Sequence, residues 1–335
     1  MELFIWLVIF IVSLTALLKA AGWFSAGAVK LLGYNANSGF TAASIAAALP
    51  ELALALAAVL IGRAELAVPI VIGSSIANIF LVVGASAVAA KNLAIKPDYV
   101  DLDAPLLAAA LAMFWFCGRD GQIVFSEGIL MIAAFFSCAA YVIFRAGVKI
   151  FTPRDIVTPG FFVSARRNLA ELVGARFSRG FVKIGSNNFL ISLAAVFFSA
   201  ALLAIAAGIA LESIDGISQK TGILAVVLAM SAMSVAGALP EMLSSLRIIA
   251  RKRYEILLGN VFAGTTANIL LVAGIAALFG DLPLGAEALD LGLPFLVAAA
   301  GVLTVSSFSR KINAGEGMIY LFLYLLFLAK LFNLF

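Results

Sequence analysis

Two glutamates, each preceded by a proline, sit inside uninterrupted apolar stretches of the chain: Leu49-Pro50-Glu51 and Leu239-Pro240-Glu241. Each is followed 27 residues later by an asparagine, Asn78 and Asn268, and both pairs are separated by 190 residues. A carboxylate in the middle of a membrane-length segment costs roughly 2.5–3.5 kcal/mol on insertion scales, so a chain that keeps two, at matched places, uses them. The chemistry on offer is cation binding. Proline lacks a backbone donor and crowds the preceding turn, which predicts a helix break or kink just before each glutamate. Small residues line the approach, Ala46-Ala47-Ala48 in one case and Ala236-Gly237-Ala238 in the other. Such a break frees carbonyl oxygens, as at Ala47 and Gly237, and hydrocarbon tolerates this only where the backbone is buried in protein or lines a wet cavity. Two carboxylates with carbonyls beside them form an all-oxygen donor set that suits a hard cation such as calcium, which takes six to eight oxygen ligands, or sodium.

Further polar residues follow on the next segment of each half. Ser74 and Asn78 are four apart and share a helical face, with Ser75 three from Asn78; Thr265 and Asn268 are three apart, with Gly264 keeping the backbone accessible. These groups are either ligands that look toward the glutamate of their own half or interhelical hydrogen-bonding partners worth ~0.6–2 kcal/mol each. The matched distance from the glutamates favours ligands for Asn78 and Asn268, whereas Ser74, Ser75 and Thr265, each taken alone, fit packing. No lysine or arginine lies in the spans at matching depth to neutralise the glutamates.

Composition decides what surrounds these residues. The chain is 64% apolar and 12% charged, far from the balance of a soluble domain, and it reads as an all-α integral membrane protein. Apolar windows at 4–20, 37–62, 66–90, 103–117, 124–144, 188–211, 222–246, 256–279, 288–308 and 316–334 predict ten transmembrane helices. The fourth is short, between Asp103 and Arg119. Glu127 and Glu316 open the fifth and tenth as helix-start charges. The first begins Met1-Glu2 without a basic leader and is read as a span, not a cleaved signal. Cys117 and Cys138 do not make a disulfide framework. With no histidine in the chain, zinc chemistry and histidine-dependent catalysis are poor fits. Nor is there a paired aspartate motif or a serine, lysine or cysteine arrangement of catalytic spacing, so an intramembrane enzyme is not expected, and neither is a cofactor.

Basic residues set the orientation. With the N-terminus outside, 18 of the 22 lysines and arginines fall on the cytoplasmic side, leaving Arg63, Arg119, Lys220 and Lys330 outside. The net charge of +4 thus reflects topology, with the lipid bilayer and metal cations as partners and no nucleic acid implied.

The chain is also a repeat. Residues 44–87 align with 234–277 without a gap, and 17 of the 44 pairs are identical; Glu127-Gly128 matches Glu316-Gly317 at an offset of 189. Five spans per half, an odd number, invert the second copy relative to the first. The predicted layout is a first inverted repeat over 1–145, a basic cytoplasmic linker over 146–187, which is a tether or a lipid-surface helix, and a second repeat over 188–335. Broken helices are expected at the midplane.

The stretches 44–87 and 234–277 resemble the paired repeats of the calcium/cation antiporter superfamily, in particular prokaryotic sodium/calcium exchangers. Pro50-Glu51 and Pro240-Glu241 match the first part of the family pattern; Gly73-Ser74 with Asn78, and Gly259-Asn260 with Asn268, match the second. The resemblance implies exchange of calcium for sodium, protons or potassium by alternating access, with the first and sixth spans sliding across the core, in a prokaryotic plasma membrane. The chain departs from the pattern at Ala47, Ala48, Gly237 and Ala238, where the family carries hydroxyl ligands, and at Gly264, where it carries serine. The implied metal-site residues are Glu51, Glu241, Asn78, Asn268, Ala47, Gly237, Ser74 and Thr265. Sodium or protons remain open as counter-ion, as do another divalent cation and a transport-dead ion binder.

Overall fold

The computed structural model describes residues 2–31, 39–95, 99–145, 189–250 and 254–334; the linker predicted over 146–187 lies outside the described residues. The described chain is helical apart from four strands of two or three residues. The helices are α1 (Glu2–Leu31), α2 (Gly39–Leu60), α3 (Ala64–Ala90), α4 (Asp101–Gly118), α5 (Phe125–Arg145), α6 (Phe189–Thr221), α7 (225–250), α8 (254–277), α9 (Glu287–Phe308) and α10 (Ala314–Leu331). Helices satisfy their own backbone, which is why apolar windows of this length fold this way in hydrocarbon.

Among the described residues, eight helices are long and apolar enough to cross a membrane. The two shorter apolar stretches, Ala48–Leu60 in α2 and Ala225–Leu239 in α7, belong to the helices that carry the glutamates. Ser244, Ser245 and Arg247 dilute the second half of α7.

Three features depart from expectation. Helices α1 and α6, at 30 and 33 residues, overrun their predicted windows; at 1.5 Å per residue they reach about 45–50 Å, well beyond the ~30 Å hydrocarbon layer. The fourth helix takes in Asp103, which is buried, at the end of a π-helical turn, Tyr99–Asp103. Most consequentially, neither proline breaks its helix. Pro50 lies inside the continuous α2, and α7 runs on through Pro240. In a continuous helix each proline still deprives the carbonyl four residues earlier of its N–H partner, here those of Ala46 and Ala236, one residue before the positions predicted from a full break.

Contacts between the halves come in matched sets. Helix α2 packs on α8 as α7 packs on α3, and the end of α3 packs on α10 as the end of α8 packs on α5. Glycines permit the last two. A Cβ at Gly317 would stand 2.9 Å from the Gly84 carbonyl oxygen, and one at Gly128 would stand 2.7 Å from that of Gly274. At the helix ends β1 (Asn92–Ala94) pairs antiparallel with β4 (Lys311–Asn313), and β2 (Gln122–Ile123) with β3 (Leu282–Pro283). Glu316 closes a capping box with Asn313 at the start of α10, and the Val124 N–H donates to Glu127 at the start of α5, so both acids serve helix starts as their positions predicted.

Candidate cation site

The four inner helices α2, α3, α7 and α8 bring the predicted residues together. Glu51 leaves α2 and reaches across to the other half, where its Oε1 lies 3.6 Å from the position a Cβ would take on Gly237. Gly237 is one helical turn before Glu241 on α7, and the charge of Glu51 acts on Glu241. Glu51 is buried, at 5% exposure, and Glu241 is half-buried. Gly237 has only Glu51 as a near neighbour on its Cβ side, so the absence of a side chain there leaves room beside the carboxylate.

Gly73 sets the depth of the α3–α7 contact. A Cβ on Gly73 would collide with the Ser234 hydroxyl and the Met230 carbonyl, so any larger residue would push the two helices apart. Met230 and Ser231 sit in a π-helical turn of α7, Ala229–Met233. Two more π-helical turns occur at matched places, Ala77–Val83 in α3 and Asn268–Val272 in α8, and each contains or opens on one of the two asparagines. A π-helical turn adds a residue to the turn and recurs at functional sites; the sequence gives no local sign of it.

Asn268 does not face only its own half. Its Nδ2 donates to Ser74 Oγ at 3.2 Å, and Ser74 Oγ donates to the Val71 carbonyl at 3.2 Å. Ser74 and Asn268 therefore tie α3 to α8. Asn78, in the π-helical turn of α3, is partly exposed. Ala47 lies on α2 four residues before Glu51.

Several buried oxygens have no partner. Glu51 Oε2, Ser75 Oγ, Thr265 Oγ1 and Asn268 Oδ1 are all enclosed without a hydrogen bond. A buried polar group left unsatisfied costs about 1–3 kcal/mol, and four around one pair of carboxylates mark a place built for something that accepts oxygen lone pairs. Sequence reasoning set Ser75 aside in favour of Ser74. The 190-residue offset pairs Ser75 with Thr265 and Ser74 with Gly264, and that register was the signal available. A Cβ on Gly264, itself buried, would meet nothing within 4 Å, which leaves space where Ser74 in the other half holds Asn268. Among the described residues no cluster of three or more acidic, histidine or cysteine side chains exists; any further donors beside the glutamates are neutral oxygens, as hard cations accept. The groove along the α1–α6 seam, lined by Val8, Val12, Ala16, Ile205 and Ile209, is apolar and offers a cation nothing.

The family model described as sodium/calcium exchanger protein matches residues 5–144 and 191–333. The chain belongs to the sodium/calcium exchanger family. As a member of that family it is a multi-pass membrane protein of the cation antiporter type. It is 24% identical over 297 residues to the inner membrane protein YrbG of Escherichia coli strain K12, covering 88% of this chain and 85% of that one. It is 24% identical over 361 residues to the sodium/calcium exchanger MaX1 of Methanosarcina acetivorans, covering 97% of each. Its fold is similar to that of the sodium-calcium exchanger NCX_Mj, with a TM-score of 0.60 at 19% identity over 98% of this chain and 99% of that one.

Proposed function

We propose that this exchanger-family protein carries Ca2+ in one direction and Na+ or H+ in the other, by alternating access to a site in which Glu51 and Glu241 hold the divalent ion. The observation that carries the reading is the reach of Glu51 to Gly237, one turn from Glu241, within a group of unpartnered buried oxygens. Asn78, Asn268, Thr265 and the carbonyls around Ala47 and Gly237 complete the donor set, and Ser74 holds Asn268 in place. The site lies between two inverted five-span repeats, 1–145 and 188–335, with α2 and α7 as the ninth and tenth spans beside the eight longer helices. The strand pairings support that layout. They join the connection after α3 to the one before α10, and the connection after α4 to the one after α8, and each pair shares one side of the membrane only if ten crossings alternate. The N-terminus is outside, the linker 146–187 is cytoplasmic, and the protein resides in a prokaryotic plasma membrane.

Missing hydroxyls at Ala47, Ala48, Gly237, Ala238 and Gly264 leave fewer places for several separate sodium ions, so protons are the second candidate as counter-ion. Purified protein in sealed vesicles will take up Ca2+ against an outward Na+ or H+ gradient. Sodium varied at fixed pH, then pH varied without sodium, assigns the counter-ion, and Mn2+ in place of Ca2+ tests the divalent choice. Absence of flux under every gradient, with Ca2+ still bound, would leave an ion binder in place of a transporter.

A further inference from the structure

Hydroxyl groups on these helices almost all bond to their own backbone. Thr15, Ser137, Ser199, Ser213, Thr221, Ser231, Thr266, Thr304 and Ser307 each donate to the carbonyl four residues earlier, the ordinary resting place of serine and threonine in a helix. Ser75 and Thr265 do not. Both are wholly buried, both hydroxyl oxygens lack a partner, and they are 190 residues apart, the interval that separates the two glutamates and the two asparagines. Each sits three residues before its asparagine, on the same helical face. Their neighbours are satisfied: Ser74 by Val71 and Asn268, and Thr266 by the Phe262 carbonyl.

We infer that Ser75 and Thr265 are a matched pair of hydroxyl ligands to the transported divalent cation, one from each half, supplying side-chain oxygen that the residues before Glu51 and Glu241 do not. This rests on the glutamate site proposed above. A hydroxyl that ligates a cation must keep its lone pairs free of the helix, and it stays without a partner until the ion arrives. A hydroxyl placed for packing would bond to the carbonyl four residues back, as nine others in this chain do.

The test is Ca2+ flux in vesicles, with KM and the Tm of ion-free protein measured in parallel, for Ser75→Ala, Thr265→Val, the double variant and Thr266→Val. Loss of one ligand to a charged ion is worth about tenfold in affinity, so KM rises about tenfold in each single variant and further in the double. Thr266→Val keeps the parent KM. The Tm of ion-free protein holds or rises in Thr265→Val, because an unsatisfied hydroxyl has been removed. Ser75→Thr and Thr265→Ser, which retain an oxygen, lie nearer the parent than the hydroxyl-free variants. An unchanged KM in the double variant, or equal shifts in Thr265→Val and Thr266→Val, overturns the assignment. Glu51→Gln run alongside separates the two levels: full flux there removes the glutamate site itself, whereas lost flux there with an unchanged KM in the double variant removes only the hydroxyl pair.

Discussion

The α3–α8 pair and the α1–α6 pair are both long apolar helices from opposite halves, yet they are built for different work. In α3 and α8, 89% of the spanning window is buried inside the protein; in α1 and α6 the figure is 28%. The inner helices meet neighbours backbone to backbone, through Gly73 on Met230 and through the exchanged glycines Gly84 with Gly317 and Gly128 with Gly274. Contacts of this kind are intolerant of displacement, because an added methyl has nowhere to go. The outer pair turns Phe4, Ile11, Phe197, Phe198 and Ile205 outward, where lipid can follow any movement. Its two helices grip each other, with Trp6 seated on Gly216 and Lys220 paired with Glu2. Towards the core it contacts chiefly α2 and an ion pair from Asp215 to Arg63, which Glu65 also binds at 2.6 Å. A rigid holder for the ion and an outer body that moves as one unit are what alternating access by sliding of the first and sixth spans needs.

Substitutions can break this contrast. The largest effect is expected at Gly73→Ala, where a Cβ meets the Met230 backbone; overpacking of this kind costs about 1–3 kcal/mol or more, and the readout is loss of monodisperse protein or a sharp fall in Tm. Gly128→Val and Gly317→Val come next. If the two exchanged contacts are equivalent, their Tm losses match closely, and a large difference between them argues against pseudo-symmetric halves. Gly208→Ala on α6, with open space at the Cβ, should be neutral or stabilising by up to ~1 kcal/mol through helix propensity. The smallest effect is the Arg63–Asp215 pair, partly exposed on both sides. A double-mutant cycle with Arg63→Gln and Asp215→Asn should give a coupling below ~1 kcal/mol that weakens with salt. The hydrogen bond from Glu65, aided by the Asp215 charge, holds the Arg63 guanidinium protonated above its already high range. Its contribution is therefore fully present at any ordinary pH and is lost only in strong alkali, so raising pH from 6 to about 9 should leave the coupling unchanged.

Much of this was legible in the sequence because membrane segments obey hydropathy and because the chain repeats itself. The helices, the helix-start roles of Glu127 and Glu316, and the convergence of Glu51 with the glutamate of the other half all follow from pattern. Local backbone behaviour did not. Pro50 predicts a break, but a helix enclosed by neighbours loses only one bond at proline and carries on. The π-helical turns at Asn78 and Asn268 have no residue signature. The bond from Asn268 to Ser74 crosses between halves, which periodicity within one helix cannot reveal, and Ser75 was passed over because each hydroxyl was weighed singly and not by its partner at 190 residues. The true ends of α1 and α6 lie past the apolar windows because a helix continues into polar surroundings as long as its own bonds are met.

The account stands on one divalent ion shared by two carboxylates from opposite halves. Equilibrium binding of radiolabelled Ca2+ to the purified protein, beside Glu51→Gln and Glu241→Gln of unchanged Tm, tests it most directly. One ion bound per chain in the parent, with affinity reduced at least about a hundredfold in either variant, is the expected result; undiminished binding in both would show that the ion is held elsewhere.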